Sequence, residues 1–168
     1  MITSQFNSFV SGALHPIYGF DHILAMVVVG VWAMQMGGRG KVFLPVGFVT
    51  AMALGFVMAR AALPLPLIEP VIVASSIIVG LFVLLALTPP LPVAVAFTAG
   101  FGLFHGYAHG GEMGTATPLA FGIGFISVTA VLHGLGLLMA GSMQHLHRVT
   151  PRILGGVSAA LGLSLLLS

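Results

Sequence analysis

Of 168 residues, 58% are apolar and only 5% are charged, with a mean hydropathy of +1.16, whereas a soluble domain is about a quarter charged. Five Lys/Arg against three Asp/Glu give a sequence pI near 9.7, but no basic cluster accompanies it, so no nucleic-acid partner is expected. Cysteine is absent. That excludes disulfides, thiolate zinc sites and iron–sulfur clusters, and leaves imidazole, carboxylate, thioether and backbone groups to hold any metal.

The apolar residues fall into long blocks without strand-like alternation, so the expected fold is an all-α, polytopic transmembrane bundle in a lipid bilayer, forming one integral membrane domain over 1–168. Residues Met1–Phe9 lack the positive n-region and apolar core of a secretory signal, and any such signal is read as already removed. Six spans follow, at about 14–36, 42–62, 67–87, 91–111, 115–141 and 150–168. Their breaks have local causes: Gly37-Gly38-Arg39-Gly40-Lys41, then Pro64 and Pro66, then Pro89-Pro90-Leu91-Pro92, a weak break near Gly110–Thr117, and the stretch from His145 to Arg152.

Within the first span, His15-Pro16-Ile17-Tyr18-Gly19-Phe20-Asp21-His22 carries two imidazoles seven residues apart and a carboxylate. In an unbroken helix His15 and His22 would share a face; Pro16 and Gly19 predict a kink that could turn Asp21 toward the same point. Arg39 and Lys41 in one loop, and Arg148 and Arg152 in another, lie on one side of a six-span chain. The positive-inside rule makes that side cytoplasmic and both termini non-cytoplasmic. Arg60 and Glu69 fall on the opposite side and are expected to pair.

The fourth span ends in Phe104-His105-Gly106-Tyr107-Ala108-His109-Gly110-Gly111-Glu112, placing His105, His109 and Glu112 at i, i+4 and i+7, a stripe suited to a divalent cation. Asp21 and Glu112 are costly within a span unless used. In low dielectric the empty site, with two unpaired carboxylates, would take up one or more protons. In the fifth span, His133 reads equally as a further ligand or as an interhelical hydrogen-bond partner. His145 and His147 read as solvated loop residues. Nine methionines without a repeated spacing do not favour a copper(I) pathway, and Trp32, Tyr18 and Tyr107 read as packing or interfacial residues.

Gly12, Gly19, Gly102 and Gly106 each precede a histidine by three residues, and Gly102, Gly106, Gly110 and Gly114 form a row of four-residue steps. Such rows predict that spans one and four pack backbone to backbone with their imidazoles in one site. His15 with His105, and His22 with Glu112, are both 90 apart (105 minus 15; 112 minus 22). This suggests two inverted three-helix repeats, about 1–88 and 89–168.

The motifs His15-Pro16-x-x-Gly19-x-Asp21-His22 and Phe104-His105-Gly106-x-Ala108-His109-Gly110-x-Glu112 resemble the paired signature of the HupE/UreJ nickel permeases. The resemblance implies uptake of Ni²⁺, or of Co²⁺, as a transported substrate across a bacterial cytoplasmic membrane, with no resident cofactor. It also implies service to the maturation machinery of hydrogenase or urease. His15, Asp21 and His22 would be the primary pathway positions, and His105, His109 and Glu112 the second group.

No nucleotide-binding loop is present to drive pumping, so a permease, not an enzyme, is the leading expectation. A homo-oligomer is compatible with it. The alternative is an intramembrane metal-dependent hydrolase, with histidines on zinc and a carboxylate activating water. A metal-sensing or structural subunit is a third reading.

Overall fold

A computed structural model describes residues 2–146 and 149–167, without the side chains of Phe20, Asp21 and 143–146. The described residues form seven α-helices: α1 (Ile2–Leu14), α2 (Phe20–Met36), α3 (Gly40–Arg60), α4 (Ile68–Leu84), α5 (Leu91–Gly111), α6 (Pro118–Leu146) and α7 (Thr150–Leu166). The fold is an all-helical membrane bundle. Helices α3, α5 and α6 are each long and apolar enough to cross a bilayer. The apolar α4 and α7 have 17 residues each, or about 26 Å, a little under the roughly 30 Å hydrocarbon thickness.

The bundle has an apolar outer surface as well as an apolar core, with a few polar side chains buried inside. Val57, Leu119, Val131 and Leu138 are exposed, while Thr98, His105, His109, Thr129, His133 and Ser158 are buried. Lipid solvates the former, and the bundle interior must accommodate the latter.

The expected first span is broken. Pro16 lacks an amide proton and sits in a 3-10 turn over His15–Ile17, and Gly19 is extended (φ −107°, ψ 119°). The two arms meet at 75°, so the residues before His15 form α1, an element the sequence reading did not assign. Helix α1 lies across the start of α6: a methyl at Gly12 would overlap the carbonyl of Phe121, one at Gly124 that of Phe9, and Thr117 N–H donates to Ser8 Oγ at 3.0 Å.

Three tight helix pairs hold the bundle. In α3–α5 the partners rise together, with Gly102 on Phe48, Gly106 on Met52 and Gly110 on Phe56. In α2–α6 they also run parallel, with Gly136 on Val27, Gly30 between His133 and Leu137, and Gly141 on Met34. In α4–α7, Gly80 and Gly155 face each other and Gly162 meets Ile77, so these two are antiparallel. These three pair directions are those that strict alternation from α2 to α7 gives.

The glycine row of α5 therefore packs on α3, correcting the expectation that it packs on the first span. The histidines stand one step round the helix from that row and meet α2 through side chains only.

Trp32 is fully buried and donates to Leu87 O at 3.0 Å, Tyr107 donates to Leu63 O at 2.7 Å, and Tyr18 is exposed.

Candidate metal centre

Three ligand atoms from two distant segments converge where the first helix breaks and α5 ends. His15 Nε2 lies 2.9 Å from His109 Nδ1 and 3.0 Å from Glu112 Oε2, and His109 Nδ1 lies 2.8 Å from the same carboxylate oxygen. The 3-10 turn positions His15. The last turn of α5 positions His109, and Glu112, just beyond the helix, folds back with its N–H on His109 O at 3.2 Å.

Glu112 thus stands at the end of the span rather than within it, with its side chain 53% exposed, while His109 is 5% and His15 24% exposed. A hydrogen bond from His109, opposed by partial burial and reinforced by His15, holds the Glu112 carboxyl well below the ordinary carboxylate range. Glu112 is therefore not the group that takes up the proton expected at the empty site: its two imidazole neighbours favour the ionised form by more than its partial burial opposes it.

Neutral imidazoles and an ionised carboxylate can satisfy at most two edges of this triangle. If His15 Nε2–H and His109 Nδ1–H both donate to Glu112, the nitrogen–nitrogen edge has no acceptor. If His15 donates to His109, the edge from His109 to Glu112 has no proton. Three lone pairs directed at one cation would satisfy all three atoms together.

The remaining expected residues divide clearly. His22, in the first turn of α2, lies with its ring 4.8 Å from that of His109 and 6.2 Å from that of His105, so both histidine clusters share one site although the helix between His15 and His22 is broken. His105 sits deeper, with its Nδ1–H donating to Phe101 O at 2.9 Å. The Asp21 side chain, the His145 side chain and all of His147 lie outside the described residues. His133 is buried one ring away from Phe48 (5.0 Å), and neither of its nitrogens has a hydrogen-bond partner. It joins neither the triangle nor an interhelical hydrogen bond among the described residues.

A vestibule of about 350 Å³ opens beside the triangle, lined in part by His22, His109, Glu112, Glu69 and Ser76. Glu69, in the first turn of α4, was expected to pair with Arg60. Among the described residues no such ion pair forms, and Arg60 lines a separate apolar groove between α3 and α6. The signal was present: the six-span count puts Glu69 and Glu112 on one side of the membrane.

A model of the HupE / UreJ protein family matches residues 2–165. The chain belongs to the HupE/UreJ family. Among curated relatives, Protein HupE of Rhizobium leguminosarum bv. viciae is 37% identical over 159 residues, 94% of this chain and 83% of that protein. No solved structure matches. The HupE/UreJ match spans α1 as well as the six longer elements.

Proposed function

We propose that this HupE/UreJ protein is a permease for a divalent transition-metal ion, Ni²⁺ as the favoured substrate and Co²⁺ as the alternative, captured by His15, His109 and Glu112. Family membership supports metal transport in general. The observation that carries the site is the triangle of ligand atoms 2.8 to 3.0 Å apart.

The donor set bears on the choice of ion: imidazole plus carboxylate suits Ni²⁺, and Co²⁺ and Zn²⁺ use the same ligands, so the preference for Ni²⁺ rests on family membership. Glu69 and Glu112 make the vestibule electronegative, which raises the local cation concentration. His22, and Asp21 beside it in sequence, would receive the ion next.

Transport proceeds from the vestibule side toward the loop bearing Arg39 and Lys41. In a bacterial cytoplasmic membrane this is uptake, supplying the maturation of nickel enzymes. The test is Ni²⁺ uptake by purified protein in liposomes, with Co²⁺ and Zn²⁺ as competitors. We expect saturable uptake that Co²⁺ inhibits more strongly than Zn²⁺ and that Glu112→Gln abolishes. Wild-type rates from Glu112→Gln would overturn the assignment.

A further inference from the structure

Behind the vestibule lies a second, much smaller cavity of about 10 Å³, lined by His105, Ser75, Ser76 and Ser158 among apolar side chains of α2, α3, α4 and α5. It has room for about one water-sized species. His105, Ser75 and Ser158 are all at least 96% buried. Ser76 lines both this cavity and the vestibule, so it stands where one gives way to the other.

The hydrogen bonds around this cavity occupy the protons and leave the lone pairs. Ser75 Oγ donates to Ile72 O at 2.6 Å, Ser158 Oγ donates to Ser76 O at 3.1 Å, and the Nδ1–H of His105 donates to Phe101 O at 2.9 Å. Each hydroxyl oxygen keeps acceptor capacity, and His105 keeps the lone pair of Nε2. An imidazole anchored through its other nitrogen to a backbone carbonyl is the usual arrangement of a metal-ligating histidine.

We propose that this cavity is an inner station for the transported metal, in which His105 and the serine hydroxyls hold an ion that has shed its water. The proposal rests on the vestibule triangle as the point of capture. Its chemistry complements that triangle. The outer site carries a carboxylate and binds, whereas the inner set among the described residues is neutral and binds weakly, which allows the ion to leave. A hydrated ion does not fit a one-water cavity, so the station admits only a species whose hydration shell the outer ligands have already replaced. The short α4 and α7 supply three of the four polar side chains, giving that tight pair a role in the pathway beyond packing.

Two variants test this. In the Ser75→Ala/Ser158→Ala double variant, equilibrium Ni²⁺ binding at the outer triangle should be unchanged, while uptake into liposomes falls about ten-fold, the loss typical of removing groups that support a metal pathway. Because the chain has no cysteine, Ser76→Cys introduces a single thiol. A small methanethiosulfonate reagent added on the vestibule side should label it and block uptake, and Ni²⁺ should slow the labelling. Normal uptake by the double variant, or labelling of Cys that Ni²⁺ does not slow, would overturn the inner station. The outer site fails separately, if Glu112→Gln binds and transports normally.

Discussion

The Nε2 of His15 stands 2.9 Å from the Nδ1 of His109 across 94 positions of sequence. The first helix breaks at Pro16, in the 3-10 turn that carries His15. The break swings α1 onto α6 and leaves His15 at the mouth of the bundle. Removing either ligand should remove a bond that water only partly replaces. His15→Ala, His109→Ala and His22→Ala should each reduce uptake about ten-fold or more, and Asp21→Asn likewise, while the proteins still insert. His145→Ala should have little effect. Uptake kinetics on purified variants at matched protein levels would check all five.

The pH dependence follows from Glu112. Because its folded pKa is depressed, the contribution of its imidazole contacts to stability is complete above the ordinary value of 4.5 and is lost only as pH falls below it. Between pH 7.5 and 5.5 Glu112 therefore stays ionised. It contributes no proton competition in that window, and any that appears comes from the imidazoles, which must be neutral to ligate. Ni²⁺ affinity should weaken toward pH 5.5 with release of protons, and Glu112→Gln should lower affinity while leaving the proton count unchanged. Calorimetry in buffers of different ionisation enthalpy measures both.

Helix contact provides a prediction independent of metal. A methyl at Gly106 would overlap the Met52 carbonyl, whereas one at Gly100 would meet open space. Gly106→Ala should destabilise the bundle by about 1–3 kcal/mol and shift His105 and His109 together. Gly100→Ala should match the wild type in thermal unfolding in detergent. Equal unfolding temperatures for the two variants would contradict the packing described for α3–α5.

Helix α1 is predicted to matter only through His15. Gly12→Val should lift α1 from the Phe121 backbone and weaken Ni²⁺ binding by displacing His15, with no ligand removed. Binding unchanged by this substitution would show that α1 does not position the site.

The helical membrane bundle and the two histidine motifs were legible because hydropathy and residue type carry them directly. Spacing placed His105, His109 and Glu112 on one stripe of α5, and the structure keeps His109 and Glu112 together. What spacing does not report is which neighbour a helix face meets. The Gly102–Gly106–Gly110 row signalled close approach, but α3 is the partner, because in lipid any small-residue face can accept any complementary helix. Glu69 was paired with Arg60 on proximity in sequence, and the vestibule exists only once α4 has docked. The inner serines carried no signal, since serine is ordinary in membrane helices.

If His15, His109 and Glu112 hold the transported ion together, X-ray absorption at the nickel K-edge of the Ni²⁺-loaded protein should show imidazole scattering from at least two histidines in the wild type, with nickel–ligand distances of about 2.1 Å, and the loss of one imidazole in His15→Ala. A wild-type spectrum containing only oxygen ligands, or a His15→Ala spectrum identical to the wild type, would contradict it.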